Sequence, residues 1–298
     1  MTFSRTLAQD GPRPSQQTGA THTLSNGVNL HLVDQGEGPP IVFVHGLMMS
    51  GRFFDKQVPA FAPTNRVLIP DLRGHGLSEK VLAGHTVGNY AQDLRLLFED
   101  LGVSRPWLVG WSMGAMVVYE YLKAFSCDSV RGIVIVDQPP SDYVWEGYEF
   151  GLLTPTSLAE MVEKLQLDQR ALAEEFAQLM QHEPDPQTSA WMVEEIMRVP
   201  PAVASTILVN ETLRDDRGFL QTIECPSLVV FGRDPKFTAP EAGEYIASQI
   251  PAARLVIMED SSHCPFYEEA DRFNRELASF LAAPAAETSK PDSSHHAQ

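Results

Sequence analysis

The 298-residue sequence predicts an α/β fold, namely a doubly wound, mostly parallel sheet with an inserted helical cap. From about residue 28, short continuous apolar runs alternate with amphipathic helical stretches, as in a parallel sheet covered on both faces. Between residues 138 and 222 this rhythm stops, and helical patterns follow one another without a strand. A chain of this length with 43% apolar residues can bury one large core without disulfides or a metal.

The predicted strands begin with a hairpin. Residues 28–34 alternate apolar and polar side chains after the Asn26-Gly27 turn, so they predict a half-buried strand that pairs with residues 21–25. Six further runs are continuously apolar and have the length of buried strands: residues 41–44, 67–69, 107–109, 132–136, 227–231 and 254–258.

Helical patterns lie between these strands. Thr86 can cap a helix that carries an apolar face and ends at Gly102. A second helix, residues 116–125, follows Ser112, and a third runs from about residue 273 to 281. Each helix connects two predicted strands or follows the last one, as a doubly wound sheet requires.

The long segment without strands predicts four consecutive helices. A capping box at residues 157–160 indicates the start of the first helix, Asp168 that of the second, and Asp185-Pro186 that of the third. Apolar residues at positions 203, 207 and 208 indicate a fourth helix. We interpret these helices as a cap over the sheet.

These patterns divide the chain into a core, a cap and two tails. The core comprises residues 20–137 and 223–283, and the cap comprises residues 138–222, inserted between two strands. Residues 1–19 and 284–298 lack periodicity and carry few apolar side chains, so we expect both tails to be disordered.

The charge balance limits the classes of partner that we expect the protein to bind. The chain has 39 acidic and 22 basic residues and a formal charge of −17. Because phosphate backbones are bound by basic surfaces, we expect no nucleic-acid partner. Residues 138–222 hold 15 acidic and only 5 basic residues, which favours a solvated helical surface, with steering of charged substrates as the alternative.

Cysteine usage and hydropathy indicate the cellular compartment that we expect for the protein. Cys127, Cys225 and Cys264 are odd in number and widely spaced, which indicates free thiols rather than disulfides or a zinc site. The N-terminal residues lack the apolar segment of a signal peptide, and no window approaches the roughly 20 apolar residues that span a bilayer. We therefore expect a cytoplasmic protein, a monomer or homodimer, without membrane contact.

A serine flanked by glycines stands between a predicted strand and a predicted helix. In Gly110-Trp111-Ser112-Met113-Gly114, the glycines permit a turn sharp enough to present the serine hydroxyl at the carboxyl edge of the sheet. Asp234 and His263 each follow one of the last two predicted strands. Because carboxyl ends of parallel strands meet at one edge, we expect a nucleophile, an acid and a base to lie close together there.

These motifs, in this order along the chain, resemble those of the α/β-hydrolase superfamily, in particular its esterase, cofactor-independent haloperoxidase and lactonase-like branch. The resemblance includes Val44-His45-Gly46-Leu47 and the run from Asp71 to Ser78, and it extends from about residue 28 to 282. It implies a small-molecule acyl substrate and a serine mechanism that needs neither a metal nor another cofactor, and it leaves the substrate open.

The resemblance also implies a role for each motif residue. Ser112 is the expected nucleophile, His263 the general base and later acid, and Asp234 the carboxylate that orients the imidazole. The backbone N–H groups of Leu47 and Met113 form the expected oxyanion hole.

The triad acid and the pocket wall have alternatives. Asp137 closes the strand before the cap, where some members of the superfamily carry the triad acid, so it is the alternative to Asp234. Aromatic and methionine side chains near the serine indicate an adaptable, apolar pocket. The candidates for its wall are His45, Met48, Trp111 and Trp145.

The expected function is hydrolysis of a small to medium carboxylic ester, thioester or lactone through an acyl-Ser112 intermediate. With peroxide in place of water, the same intermediate would give a peracid as a side activity. One alternative on this fold is cofactor-free dioxygenation of a heteroaromatic ring by a His–Asp pair. Asp137 suits that alternative, but Trp111 stands where those enzymes carry a histidine. The other is a ligand-binding pseudoenzyme, against which the intact triad argues.

Overall fold

The computed structural model describes residues 19–283, which form one eight-stranded sheet with helices between the strands. Apart from residue 19, the tails predicted to be disordered lie outside the described residues. The strands are β1 (Ala20–Thr23), β2 (Asn29–Gln35), β3 (Pro40–Val44), β4 (Arg66–Pro70), β5 (Trp107–Trp111), β6 (Gly132–Val136), β7 (Ser227–Gly232) and β8 (Ala253–Met258).

The sheet has the mixed topology that the strand patterns predict. Its order is β1-β2-β4-β3-β5-β6-β7-β8. The hairpin strands β1 and β2 pair antiparallel, β2 pairs antiparallel with β4, and the other neighbours are parallel. Every residue of β5 and β6 is buried, which explains why these runs are apolar without alternation. The carboxyl ends of β3, β5, β6, β7 and β8 therefore share one edge.

Ten α-helices are present in the described part of the chain, and none is long and apolar enough to span a membrane. They are α1 (Val58–Phe61), α2 (Val87–Leu101), α3 (Met113–Phe125), α4 (Pro155–Leu167), α5 (Gln169–Leu179), α6 (Pro186–Ile196), α7 (Pro201–Thr212), α8 (Pro240–Gln249), α9 (Pro265–Glu268) and α10 (Ala270–Ala282).

Helix ends follow the predicted caps in most cases. Thr86 caps α2, and Gly102 ends it with a φ of 64°. The predicted start of α4 at residue 157 is wrong, because Thr154 is the N-cap. The Thr154 side chain accepts the Ser157 N–H at 3.2 Å while the Ser157 hydroxyl accepts the Thr154 N–H at 2.9 Å, so the capping box begins three residues earlier.

Helices α4–α7 are called here the helical insertion, because they lie in sequence between the neighbouring strands β6 and β7. Asp168 and Asp185 cap α5 and α6, as predicted. Helix α5 packs on α6, α4 packs on α7, and α7 contacts α2 of the core. The chain enters the insertion from the carboxyl end of β6, which is the edge where Ser112 lies.

All three cysteines are free thiols, as the sequence predicts. Cys225 and Cys264 are buried and Cys127 is half-buried. Although Cys264 follows His263 directly, burial raises the pKa of its thiol well above the usual value, so it is a poor candidate for a reactive thiolate.

Candidate active site

Ser112 occupies a strained turn between β5 and α3. Its φ of 54° and ψ of −132° are unusual for a residue with a side chain. The glycines two residues before and after it make this turn sterically accessible. A Cβ at Gly110 would overlap the backbone of Gly114, and one at Gly114 would overlap the Val44 carbonyl oxygen. The half-buried Ser112 side chain is thereby held at the carboxyl edge of the sheet.

Two main-chain segments surround the serine. Met113 is the first residue of α3, and a backbone N–H at this position has no partner within its own helix. The loop after β3 passes close to Ser112, because a Cβ at Gly46 would lie 2.8 Å from the Ser112 Cβ and 3.2 Å from its Oγ. Leu47 is the next residue of that loop and lines the cavity described below.

His263 lies on the loop between β8 and α9 and is almost fully buried. Its Nδ1 lies 2.8 Å from Oδ1 of Asp137, the residue directly after β6. The Asp137 carboxylate also accepts the backbone N–H of Gly232 at 2.8 Å and the hydroxyl of Thr238. These donors fix both carboxylate oxygens and so orient the imidazole.

The prediction that Asp234 orients His263 is wrong. Asp234 lies two residues past β7, and its carboxylate contacts His182 Nδ1 at 2.8 Å and Lys236 Nζ at 3.2 Å. Desolvation alone would raise the pKa of Asp234, but these two partners outweigh it and lower the pKa below its usual value. The structure thus places the alternative acid, Asp137, beside the candidate base.

Aromatic side chains hold His263 on two sides. The Phe237 ring stacks on the imidazole with ring centres 4.0 Å apart and planes at 20°. The Trp111 indole N–H donates to the His263 carbonyl at 2.8 Å, and the Trp111 ring lies 5.4 Å from the imidazole. Trp111 is fully buried, so this hydrogen bond ties the histidine loop to the core.

Ser112 and His263 line one cavity of about 430 Å³, a volume typical of small-molecule sites. Leu47 and Met49 line it from the loop after β3. The helical insertion contributes most of the apolar wall, including Met161, Leu172, Phe176, Leu179 and Leu208.

Within the described part of the chain, none of the four predicted pocket residues lines this cavity. His45 is fully buried, where its Nε2 accepts the Leu72 N–H at 2.9 Å, and desolvation lowers its pKa. Met48 is buried in the turn beside it. Trp145 donates its indole N–H to the Ser141 hydroxyl at 2.8 Å. Proximity in sequence to the motifs was the wrong guide, because these side chains, like that of Trp111, support loops instead.

Sequence reasoning also missed three buried polar residues of the wall, namely Gln138, Asp142 and Glu211. Burial raises the pKa of Asp142 to about 7 and that of Glu211 well above its usual value, the latter with a further contribution from Asp142. One signal was readable: Glu211 lies four residues after Ile207, so it continues the apolar face of α7 with a charged residue.

Comparison with known proteins gives a consistent result. Residues 41–276 match the sequence pattern of the Alpha/beta hydrolase family. The chain is similar to the AB hydrolase superfamily protein YisY of Bacillus subtilis (strain 168), with 26% identity over 258 residues that cover 85% of this chain and 95% of that protein.

Two further proteins extend the comparison. The chain is 30% identical, over 242 residues, to the pimeloyl-(acyl-carrier protein) methyl ester esterase of Neisseria meningitidis serogroup B / serotype 15 (strain H44/76), covering 78% of this chain and 89% of that one. The structure of the esterase EaEST from Exiguobacterium antarcticum superimposes with a TM-score of 0.84 at 22% identity, over 89% of this chain and all of that one. At that identity the likeness concerns the fold.

Proposed function

Because this chain belongs to the alpha/beta hydrolase family, we propose that it hydrolyses a small to medium carboxylic ester, thioester or lactone through an acyl-Ser112 intermediate. One observation carries the proposal: Ser112 and His263 line the same cavity, and His263 contacts a buried carboxylate. The similarity to a methyl ester esterase supports the choice of an ester over other acyl compounds.

In the proposed first step, His263 Nε2 takes the proton of the Ser112 hydroxyl while Oγ attacks the substrate carbonyl carbon. Asp137 accepts a hydrogen bond from Nδ1, which leaves Nε2 unprotonated and able to act as the base. The negative charge that develops on the carbonyl oxygen is stabilised by the N–H groups of Leu47 and Met113.

The intermediate then collapses to products in two stages. His263 returns its proton to the departing alkoxide, which leaves as the alcohol, and the acyl group stays on Ser112. A water molecule, deprotonated by His263, attacks the acyl carbon, so that the carboxylic acid is released and the serine hydroxyl is restored. In a lactone, alcohol and acid are parts of one ring-opened product.

The proposal assigns the triad acid to Asp137 and the predicted cap, residues 138–222, to substrate selection. Support for the first assignment is the 2.8 Å contact between Asp137 Oδ1 and His263 Nδ1. Support for the second is the apolar cavity wall that α4, α5 and α7 provide. The core would then comprise residues 20–137 and 223–283.

A chromogenic ester series of increasing acyl length, run beside a panel of lactones, tests the proposal. We expect turnover of at least one class, and labelling of the folded wild-type protein, but not of Ser112→Ala, by a fluorophosphonate probe. Absence of turnover and of labelling in folded wild-type protein would contradict it.

A second function is favoured by the same contact. Cofactor-free dioxygenation uses a His–Asp pair in which the acid follows the sixth strand, and Asp137 has that position. Trp111, in the place of that group's additional histidine, argues against it. Ser112→Ala separates the two functions, since a dioxygenase would still consume oxygen whereas a hydrolase would lose turnover.

A further inference from the structure

The cavity wall carries two buried carboxyl groups that the proposed mechanism does not use. Asp142 lies on the loop after β6, and Glu211 lies in the last turn of α7. Their exposed fractions are 7% and 5%, and both line the cavity that contains Ser112 and His263. Acidic side chains are seldom buried to this extent without a partner.

The partners of these carboxyl groups are incomplete. Oδ1 of Asp142 accepts the side-chain amide of Gln138 at 2.6 Å. Within the described residues 19–283, the buried Oε2 of Glu211 has no hydrogen-bond partner. A buried acceptor without a donor is costly, so this atom marks a position where a ligand donor would be stabilised.

The basic side chains near the pair are already engaged elsewhere. Of the two lysines that line the cavity, Lys164 pairs with Glu175, and Lys236 contacts Asp234 and the Gln181 carbonyl. Neither Asp142 nor Glu211 forms an ion pair with any side chain that the structure describes. Among the acids that line the cavity, Asp142 and Glu211 are therefore the two buried ones, and neither is paired with a cation of the described residues.

The electrostatics agree with this geometry. Burial raises the pKa of both carboxyl groups, so it favours their uncharged forms. A bound cation would favour the ionised form of both and would supply the missing N–H donors. A neutral hydroxyl would supply a single donor and no charge.

We propose that Asp142 and Glu211 bind a primary ammonium group of the substrate, so that the preferred ester or lactone carries an amine distant from its carbonyl. The identification of the cavity as a substrate site rests on the proposed function above. Gln138 positions Asp142 through its amide.

Ligand binding tests the proposal without requiring turnover. In calorimetric titrations of the full chain, we expect hexylammonium chloride to bind about tenfold more tightly than 1-hexanol, because a charged hydrogen bond replaces a neutral one. Glu211→Gln should reduce the ratio to about twofold. Glu163→Gln removes the same charge from an exposed position on α4, outside the cavity wall, and should retain the full ratio.

Equal binding of the two ligands to the wild-type protein would overturn the proposal, and so would tighter binding of hexanol. If Glu211→Gln fails to fold, the wild-type ratio and Asp142→Asn provide the same comparison. A ratio that survives both substitutions in folded protein also overturns it, since the ammonium would then bind elsewhere.

Turnover separates this proposal from the proposed function. We expect the 4-nitrophenyl ester of 6-aminohexanoate to exceed those of heptanoate and 6-hydroxyhexanoate in kcat/KM by about tenfold, mainly through KM. Preferential binding of hexylammonium without turnover of any ester would contradict the proposed hydrolase function and support the ammonium site. Equal turnover of the three esters, with equal binding of the two ligands, would support the hydrolase function and contradict the ammonium site.

Discussion

Two histidine–aspartate pairs lie near the carboxyl edge of the sheet, and their geometry is nearly the same. His263 meets Asp137 and His182 meets Asp234, each through Nδ1 at 2.8 Å. In the first pair both side chains are 2% exposed, and the histidine lines the cavity with Ser112. In the second pair the histidine is 37% exposed, and its acid is shared with Lys236.

Two pairs with the same contact distance therefore differ in burial and in surroundings. In a buried site a hydrogen bond to a carboxylate is screened weakly and its geometry is fixed by packing, whereas an exposed contact is screened by water and contributes little. The buried histidine also stacks on Phe237, while the exposed one links the end of the α5 region to the loop after β7. We therefore expect the two pairs to respond very differently to the same substitutions.

The largest expected difference is between the two histidines. His263→Gln should lower kcat for a chromogenic ester by on the order of 10⁵- to 10⁶-fold, because the proposed general base is lost. His182→Gln, the matched change in the exposed pair, should stay within about threefold of wild type, since neither His182 nor Asp234 lines the cavity that contains Ser112. Comparable losses in both variants would show that the buried pair is not the distinctive one.

The two acids provide the second test. Asp137→Asn should reduce kcat by about 10⁴-fold, because the amide would favour the imidazole tautomer that cannot take the serine proton. Asp234→Asn should change kcat by less than about threefold. The measurement is steady-state turnover of one ester by both folded variants, and the reverse order would restore Asp234 as the triad acid.

A smaller effect is expected from the indole that supports the buried pair. Trp111→Phe removes the N–H bond to the His263 carbonyl and leaves a small void, so the free energy of unfolding should fall by about 2 to 3 kcal/mol. Displacement of the histidine loop should lower kcat by about 10- to 100-fold. Trp145→Phe also loses an indole hydrogen bond but leaves the loop of His263 untouched, so its kcat should match wild type.

The smallest effect concerns the pH dependence of the exposed pair. The pKa of Asp234 is lowered in the folded protein, so its stabilisation is present above the unfolded value of about 4 and disappears as pH falls through the folded value. In urea unfolding at pH 7, the free energy of unfolding of wild type should therefore exceed that of Asp234→Asn by less than about 1 kcal/mol. The two free energies of unfolding should converge toward pH 2. A difference that grows on acidification would contradict a lowered pKa for Asp234.

Much of the fold could be read from the sequence, because buried parallel strands are apolar throughout and helix caps have strong residue preferences. The serine turn was readable for the same local reason, since Gly110 and Gly114 are sterically required around it. The acid that contacts His263 was not, because Asp137 and Asp234 both follow strands that end at the same edge. Only the three-dimensional path of the loops decides which carboxylate reaches the histidine.

The pocket wall was the least predictable part. Its residues come from helices and loops far apart in sequence, and their inward faces depend on how the insertion packs on the sheet. Glu211 could have been predicted, because it is a charged residue on an apolar helix face. Asp142 could not, because it lies on an irregular loop without a periodic pattern. Adjacency to a motif favoured Trp111 and His45, which are structural.

The link between Gln138 and Asp142 has a consequence for domain exchange. Gln138 is the residue after Asp137, so one stretch of six residues holds both the carboxylate beside His263 and the first acid of the cavity wall. A chimera that takes its insertion from a relative and joins it at residue 138 would cut between them. Joining after residue 142 instead would keep Asp137, Gln138 and Asp142 together while replacing Glu211. The ammonium selectivity of such a chimera would then depend on whether the new insertion carries an acid at the position of Glu211.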